Sequence, residues 1–119
     1  MSVAQPLVQA SLVGEAIDRG PVAVFVADEE MRYVAVNEYA CELLGYSRDE
    51  LLALRVTDVA RAPETPARYA RLIEDKDRAG TTVLSCKDGE EIEVSYFAQE
   101  TTVAGMPFYV SVCIAGARD

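Results

Sequence analysis

Apolar and small positions between residues 7 and 17 recur at helical spacing. Leu7, Ala10, Gly14 and Ile17 form one line, Val8 and Leu12 lie beside it, and Glu15 and Asp18 lie off it. This spacing predicts a short helix with a narrow stripe, which Gly20-Pro21 ends. Two short apolar runs rich in valine and aromatics follow, Val22–Ala27 and Tyr33–Val36. They read as strands joined by a turn over Asp28-Glu29-Glu30-Met31.

The middle of the chain is punctuated by capping residues. Asn37 is placed to cap a helix whose apolar positions are Ala40, Cys41, Leu43 and Leu44, and Gly45 is placed to end it in the left-handed conformation. Ser47-Arg48-Asp49-Glu50 has capping-box spacing, with Tyr46 and Leu51 at the staple positions. Thr65-Pro66 starts a further helix with proline at its first position. Its apolar residues are Tyr69, Leu72 and Ile73, and Gly80 is the expected end.

The period then changes from helical to two. Residues 81–86, 91–101 and 106–115 alternate, Lys87-Asp88-Gly89 makes one tight turn, and Ala104-Gly105 makes another. The order is a helix, two strands, several short helices and a three-strand meander. It predicts an α+β domain, an antiparallel sheet with helices gathered on one face.

Composition narrows the function. The chain has 119 residues, one domain's worth, and half are hydrophobic, so a genuine core is expected. Twenty acidic against eleven basic residues leave a net charge of −9, which repels phosphate backbones and argues against nucleic-acid binding. There is no basic run for an anionic membrane surface. The absence of histidine removes a His general base, a Ser-His-Asp or Cys-His arrangement and histidine metal ligands. The three cysteines, Cys41, Cys86 and Cys113, are odd in number and form no CxxC, so no zinc site is expected. The opening MSVAQPLV lacks a basic leader, and no apolar run approaches the ~20 residues of a spanning helix. These features together point to a cytoplasmic domain.

The stretches AVFVADEEMRYVAVNEYACELLGYSRDELL at 23–52 and CKDGEEIEVSYF at 86–97 resemble the PAS domain family. The likeness rests on an Asn-initiated helix, a G-Y-S capping box followed by E-L, and a K-D-G turn between long strands, in that order. It runs from about Gly20 to Gly116, leaving residues 1–19 as an N-terminal flanking helix and 20–119 as the domain. The resemblance implies a cupped five-stranded antiparallel sheet with short helices over one face. It also implies a sensing or relaying module, acting through a ligand in the cup or a partner on the outer sheet face, with no catalysis of its own.

The family's cofactor branches can be held against these residues. The flavin-binding branch needs a reactive cysteine, where this chain has Val56. It also offers amides to the flavin from places that here hold Leu84, Val94 and Cys113, so flavin is not expected. Haem held by histidine is excluded by composition. Carboxylate-sensing relatives use positive side chains, and the strands expected over 81–86, 91–101 and 106–115 carry no Arg or Lys. A small apolar molecule remains, or a cup filled by its own side chains.

Strand alternation turns Ile92, Val94, Tyr96 and Ala98 to one face, with Thr82, Leu84, Cys86, Tyr109, Ser111 and Cys113 joining them. Phe25, Ala27 and the helical Val56 complete the set. The candidate lining is Phe25, Val56, Leu84, Val94, Tyr96, Tyr109, Ser111 and Cys113. Cys86 and Cys113 are expected to face each other, as small buried hydrophobes. Glu90, Glu91, Glu93 and Glu100 are expected on the outer face of the middle strand, as a solvated edge. Asp28, Asp58 and Glu64 are the carboxylates an enzyme would use, and no pair of them has acid–base spacing.

Homodimerisation is expected through Leu7, Ala10, Gly14 and Ile17, together with an outer sheet face carrying Ser95, Phe97 and either Ser111 or Val112. The alternative is that the helix covers its own sheet. The C-terminus, Ala115-Gly116-Ala117-Arg118-Asp119, departs from the family's D-I-T ending, which leaves two expectations open, a fragment of a larger sensor or a stand-alone protein acting through a partner. A linked output domain or a separate partner protein is therefore expected to read the signal.

Overall fold

The computed structural model of the chain describes residues 5–115, with side chains from Leu12 onward. It contains α1 (Gln5–Asp18), β1 (Ala23–Ala27), β2 (Tyr33–Val36), α2 (Glu38–Leu44), α3 (Arg48–Leu51), α4 (Val56–Val59), α5 (Thr65–Asp75), β3 (Asp77–Ser85), β4 (Glu91–Val103) and β5 (Met106–Ala115). The strands form one sheet in the order β2-β1-β5-β4-β3, with every neighbouring pair antiparallel. The chain places β2 at one edge beside β1, passes through the helices, and returns from the other edge as a meander whose last strand closes beside β1.

Register sorts the side chains. Arg78, Ala98, Ser111 and Phe25 lie opposite one another in a transverse row, and Gly80, Tyr96, Cys113 and Ala23 form the next row. Directly paired residues point to the same face. Val94, Ala98, Tyr109 and Cys113 are accordingly buried, while Glu91, Glu93, Ser95, Phe97 and Gln99 are exposed on the other face.

The capping signals act as their chemistry requires. The Asn37 Oδ1 accepts from the amide of Ala40, and Gly45 adopts φ 82° at the end of α2. In α3 the amide of Glu50 donates to the Ser47 Oγ, and the Ser47 amide donates back to the Glu50 carboxylate. Asn37 does more than cap. Its Oδ1 also accepts from the Val24 amide, and its Nδ2 donates to the carbonyls of Ile17 and Val22. One buried amide thereby ties the end of α1 to β1 and α2. Asp18 adds an acceptor for the Glu38 amide and an ion pair with Arg48.

Several expectations need correction. Helix α5 ends at Asp75, not at Gly80, because Lys76 turns left-handed (φ 74°) while its amide donates to the Leu72 carbonyl. Residues 77–80 then extend β3 along Gln99–Tyr96 of β4. Gly80 is a strand residue, and a side chain there would meet the Tyr96 hydroxyl at 3.3 Å. Glu100 is not on the outer face. It lies opposite Tyr109 on the inner side, half-buried, with an ion pair of 3.0 Å to Lys76. Glu90 precedes β4. Ser111 belongs to the inner face, leaving Val112 to pair with Phe97 on the outer one.

The dimerisation stripe falls partly outside the described side chains, which exclude Leu7 and Ala10. Gly14 is exposed and Ile17 half-buried. Residues 12–16 of α1 are all exposed, so this stretch does not cover the sheet of its own chain. No helix among the described residues is long and apolar enough to cross a membrane.

Candidate functional site

The inner sheet face and helices α4 and α5 line a half-open cavity of about 90 Å³. That is space on the order of half a dozen waters, or one small organic body. The void has a local cause. In the row through Phe25 and Arg78, the two central strands contribute only Ala98 and Ser111, and the next row begins with Gly80. Small side chains leave the floor low, while Phe25, Tyr96, Tyr109, Tyr69 and Leu72 stand around it as walls.

Seven of the eight expected lining residues reach the cavity: Phe25, Val56, Leu84, Tyr96, Tyr109, Ser111 and Cys113. Val94 does not. It is fully buried in the core cluster with Leu44, Leu51 and Val59, although Thr82, its partner across the β3–β4 register, lines the cavity. Tyr33, Ala60, Thr65, Arg68, Tyr69, Leu72 and Arg78 line the cavity and were not anticipated. The helical ones belong to segments whose docking no strand alternation reveals. Arg78 is different, because placing the strand at residue 81 left it in a helix. The meander does carry a basic side chain, and it faces inward.

The tyrosines build the frame. Tyr69 reaches from α5 to donate its hydroxyl to the Asp28 carbonyl, across 41 residues of sequence. Its ring meets Tyr109 edge-on at 5.6 Å, and Phe25 tilts against Tyr33 at 5.5 Å. Burial pushes the Tyr33 and Tyr69 phenols well above their ordinary range, so both are neutral donors.

The cysteines do not pair. Cys86 sits under α2, its thiol against the Leu43 carbonyl at 3.6 Å, whereas Cys113 lines the cavity. Burial raises all three thiols, Cys113 to about 12. None is a ready nucleophile at neutral pH.

Asp28, Asp58 and Glu64 do not line the cavity. Asp28 braces the β1–β2 turn, accepting from the amides of Glu30 and Arg32 and pairing with the Arg32 guanidinium. Burial works to raise its pKa, but the hydrogen bonds from Arg32 and Glu30 outweigh it, and the net shift is downward. Asp58 accepts from the Arg55 amide at the start of α4. No group of three or more Cys, Asp or Glu is arranged to hold a metal among the described residues.

A cupped antiparallel sheet, short helices over its inner face and a partly hollow interior define a small α+β cup. A family model described as PAS domain matches residues 21–119. The chain belongs to the PAS domain family. Solved structures agree in fold. A PAS domain from a two-component sensor histidine kinase superposes with TM-score 0.82 at 15% identity, covering 94% of this chain and 100% of that one. The PAS domain of an HTR-like protein from Haloarcula marismortui gives 0.81 at 16% identity, covering 94% and 95%. A domain of a sensory box sensor histidine kinase/response regulator from Geobacter sulfurreducens gives 0.77 at 22% identity, covering 93% and 98%. No curated protein matches the chain.

Proposed function

We propose that this domain is a sensory signal-relay module that binds a small, mostly apolar molecule in its cup and has no catalysis of its own. The observation that carries this is the cavity, a void walled by aromatic and aliphatic side chains with a few polar groups, the usual make-up of a small-molecule site. The lining contains no Asn or Gln to meet a flavin edge, and Val56 and Cys113 stand at its wall without a polar amide. This supports a ligand other than flavin. Related PAS domains occur in sensor kinases, which favours a linked output domain or a partner protein as reader.

A second reading, regulated homodimerisation, rests on a separate observation. Leu12 and Val13 of α1 are 64% and 60% exposed, and Phe97 and Ile114 stand exposed on the outer sheet face. A second copy covering them would remove apolar surface from water. Mass spectrometry under native and then denaturing conditions tests both. A mass excess lost on denaturation supports the ligand reading, and a doubled native mass supports the dimer. A monomer with no excess mass, from protein purified without any added ligand and again after incubation with cell extract, counts against both.

A further inference from the structure

The two edges of the sheet differ. At and beside the β2 edge, the outward backbone groups are taken. The Tyr33 amide donates to the Leu54 carbonyl, the Val56 amide donates to the Met31 carbonyl, and the Arg48 guanidinium donates to the Val36 carbonyl. The β3 edge has no such cover. The amide of Cys86 donates to the Glu90 carbonyl, and that of Glu100 to the Lys76 carbonyl. Hydrogen-bonded pairs alternate along an antiparallel ladder, so the even-numbered residues of β3 bond to β4. Ala79, Thr81, Val83 and Ser85 therefore direct their amides and carbonyls away from the sheet. Among the described residues, these groups receive one hydrogen bond, from the Arg68 guanidinium to the Thr81 carbonyl at 3.3 Å.

Nothing in this stretch blocks pairing. Residues 79–81 and Val83 are exposed, and 79–85 carry no charge, no proline and no bulge. Natural edge strands commonly carry one of these to turn other chains away. A half-open recess lies beside the edge, lined by Val83, Ser85 and Glu91 and by Arg61, Ala62 and Pro63 of the loop before α5.

Charge selects among the strands that could fill it. Glu91 and Glu93 lie opposite Ser85 and Val83, exposed on the outer face. None of the ion pairs among the described residues uses either. Val83 and Ser85 are short, so a long basic side chain on an added strand can lean across them to the glutamates, roughly 10 Å or two strand spacings away. A second copy of the chain is a poor occupant. It brings a net charge of −9, and its own β3 offers no basic residue on the outer face.

We propose that the β3 edge receives an extended segment of a partner protein, added as a sixth strand beside Ala79–Ser85, with its basic side chains against Glu91 and Glu93. Main-chain bonds to Thr81 and Val83 supply the pairing, and the glutamates choose a basic sequence. The Thr81 carbonyl has a second lone pair, so Arg68 need not leave it. This surface is independent of what the cup holds.

The test is a titration of the ¹⁵N-labelled full chain at low ionic strength with a blocked peptide alternating lysine and valine, and with its counterpart carrying glutamate for lysine. Hydrogen exchange is read at the amides of Thr81, Val83 and Ser85. The expected result is a dissociation constant at least tenfold lower for the lysine peptide, with slowed exchange at those amides. Glu91→Gln combined with Glu93→Gln should erase the preference. Val83→Pro removes an amide that bonds nothing within the sheet, so a dispersed spectrum should persist while lysine-peptide binding weakens at least tenfold. If that variant does not fold, the glutamate double variant alone decides. Equal binding of the two peptides, binding that leaves the three amides unprotected, or protection of those amides by self-association of the chain alone would each overturn the proposal.

Discussion

Around Leu44, Leu51 and Val59 the inner sheet face is packed solid, with each of these side chains fully buried. Around Ala98 and Ser111, on β4 and β5, it is hollow. Helices α2 and α3 and the Val59 end of α4 cover the first region, and Val56 of α4 together with α5 reaches over the second. The solid region is filled by helical side chains, Leu44, Leu51 and Val59, in one cluster with Val94, whereas in the hollow one β4 and β5 contribute only Ala98 and Ser111 to the row between Phe25 and Arg78. Val94 and Ala98 differ by two alternations on one strand, and that spacing separates core from cavity. Packing density thus follows from which residues helices and strands bring to a shared place, a property of several elements at once.

The largest effect that would break this contrast lies in the solid region. Leu44→Ala should cost about 2–5 kcal/mol, because a rigid neighbourhood leaves a void behind. Urea denaturation would measure it, and a loss below about 1 kcal/mol would show the region to be as yielding as the cup. Asn37→Ala comes next, at about 2–3 kcal/mol, since it strands the amides of Val24 and Ala40 and the carbonyls of Ile17 and Val22. Faster amide exchange at the end of α1 should accompany it. Ser47→Ala removes only one exposed cap and should cost about 1 kcal/mol.

In the hollow region the expected change is smaller and of a different kind. Ala98→Leu adds volume where space exists, so stability should shift by under about 1 kcal/mol in either direction. Any ligand of the cup should nonetheless lose affinity, and a thermal-shift assay with and without a small apolar probe such as toluene reads both quantities. A loss of several kcal/mol would mean that the floor is already full.

The smallest effect concerns acid. The Asp28 carboxyl has a folded-state pKa below its unfolded value. Its contribution to stability is therefore complete above the unfolded pKa and is lost as pH falls through the folded one. Asp28→Asn should flatten the loss of stability below about pH 4. A pH series of denaturation midpoints shows whether the slope changes.

Most local structure was legible because its causes are local. The caps at Asn37, Gly45 and Ser47, the Lys87–Gly89 turn and the inward set Val94, Ala98, Tyr109 and Cys113 follow from side chains bonding within a few residues or from period-two alternation. The resemblance added that five strands form one cupped antiparallel sheet, and the order β2-β1-β5-β4-β3 came from the structure, since no alternation reveals it. Six of the seven expected lining residues that reach the cavity do so for the same reason, since alternation tells which way a strand residue points; the seventh, Val56, lies on α4.

What eluded the sequence has non-local causes. Residues 77–80 carry no strand pattern of their own and become strand by pairing with residues 96–99, some twenty positions away. That pairing turns Arg78 inward and takes Gly80 out of the helix. Glu100 turns inward by the same register and finds Lys76. Which helices close the cup, bringing Arg68, Tyr69 and Leu72 over the strands, depends on how α5 docks rather than on its own spacing. The sequence by itself determined which residues cap, alternate and share a face, since these are set by bonds and dihedrals between neighbours. Only the tertiary structure decided where β3 begins, that two arginines line an apolar cup, and that small residues from three strands meet to leave it open, because each depends on partners brought together across the chain.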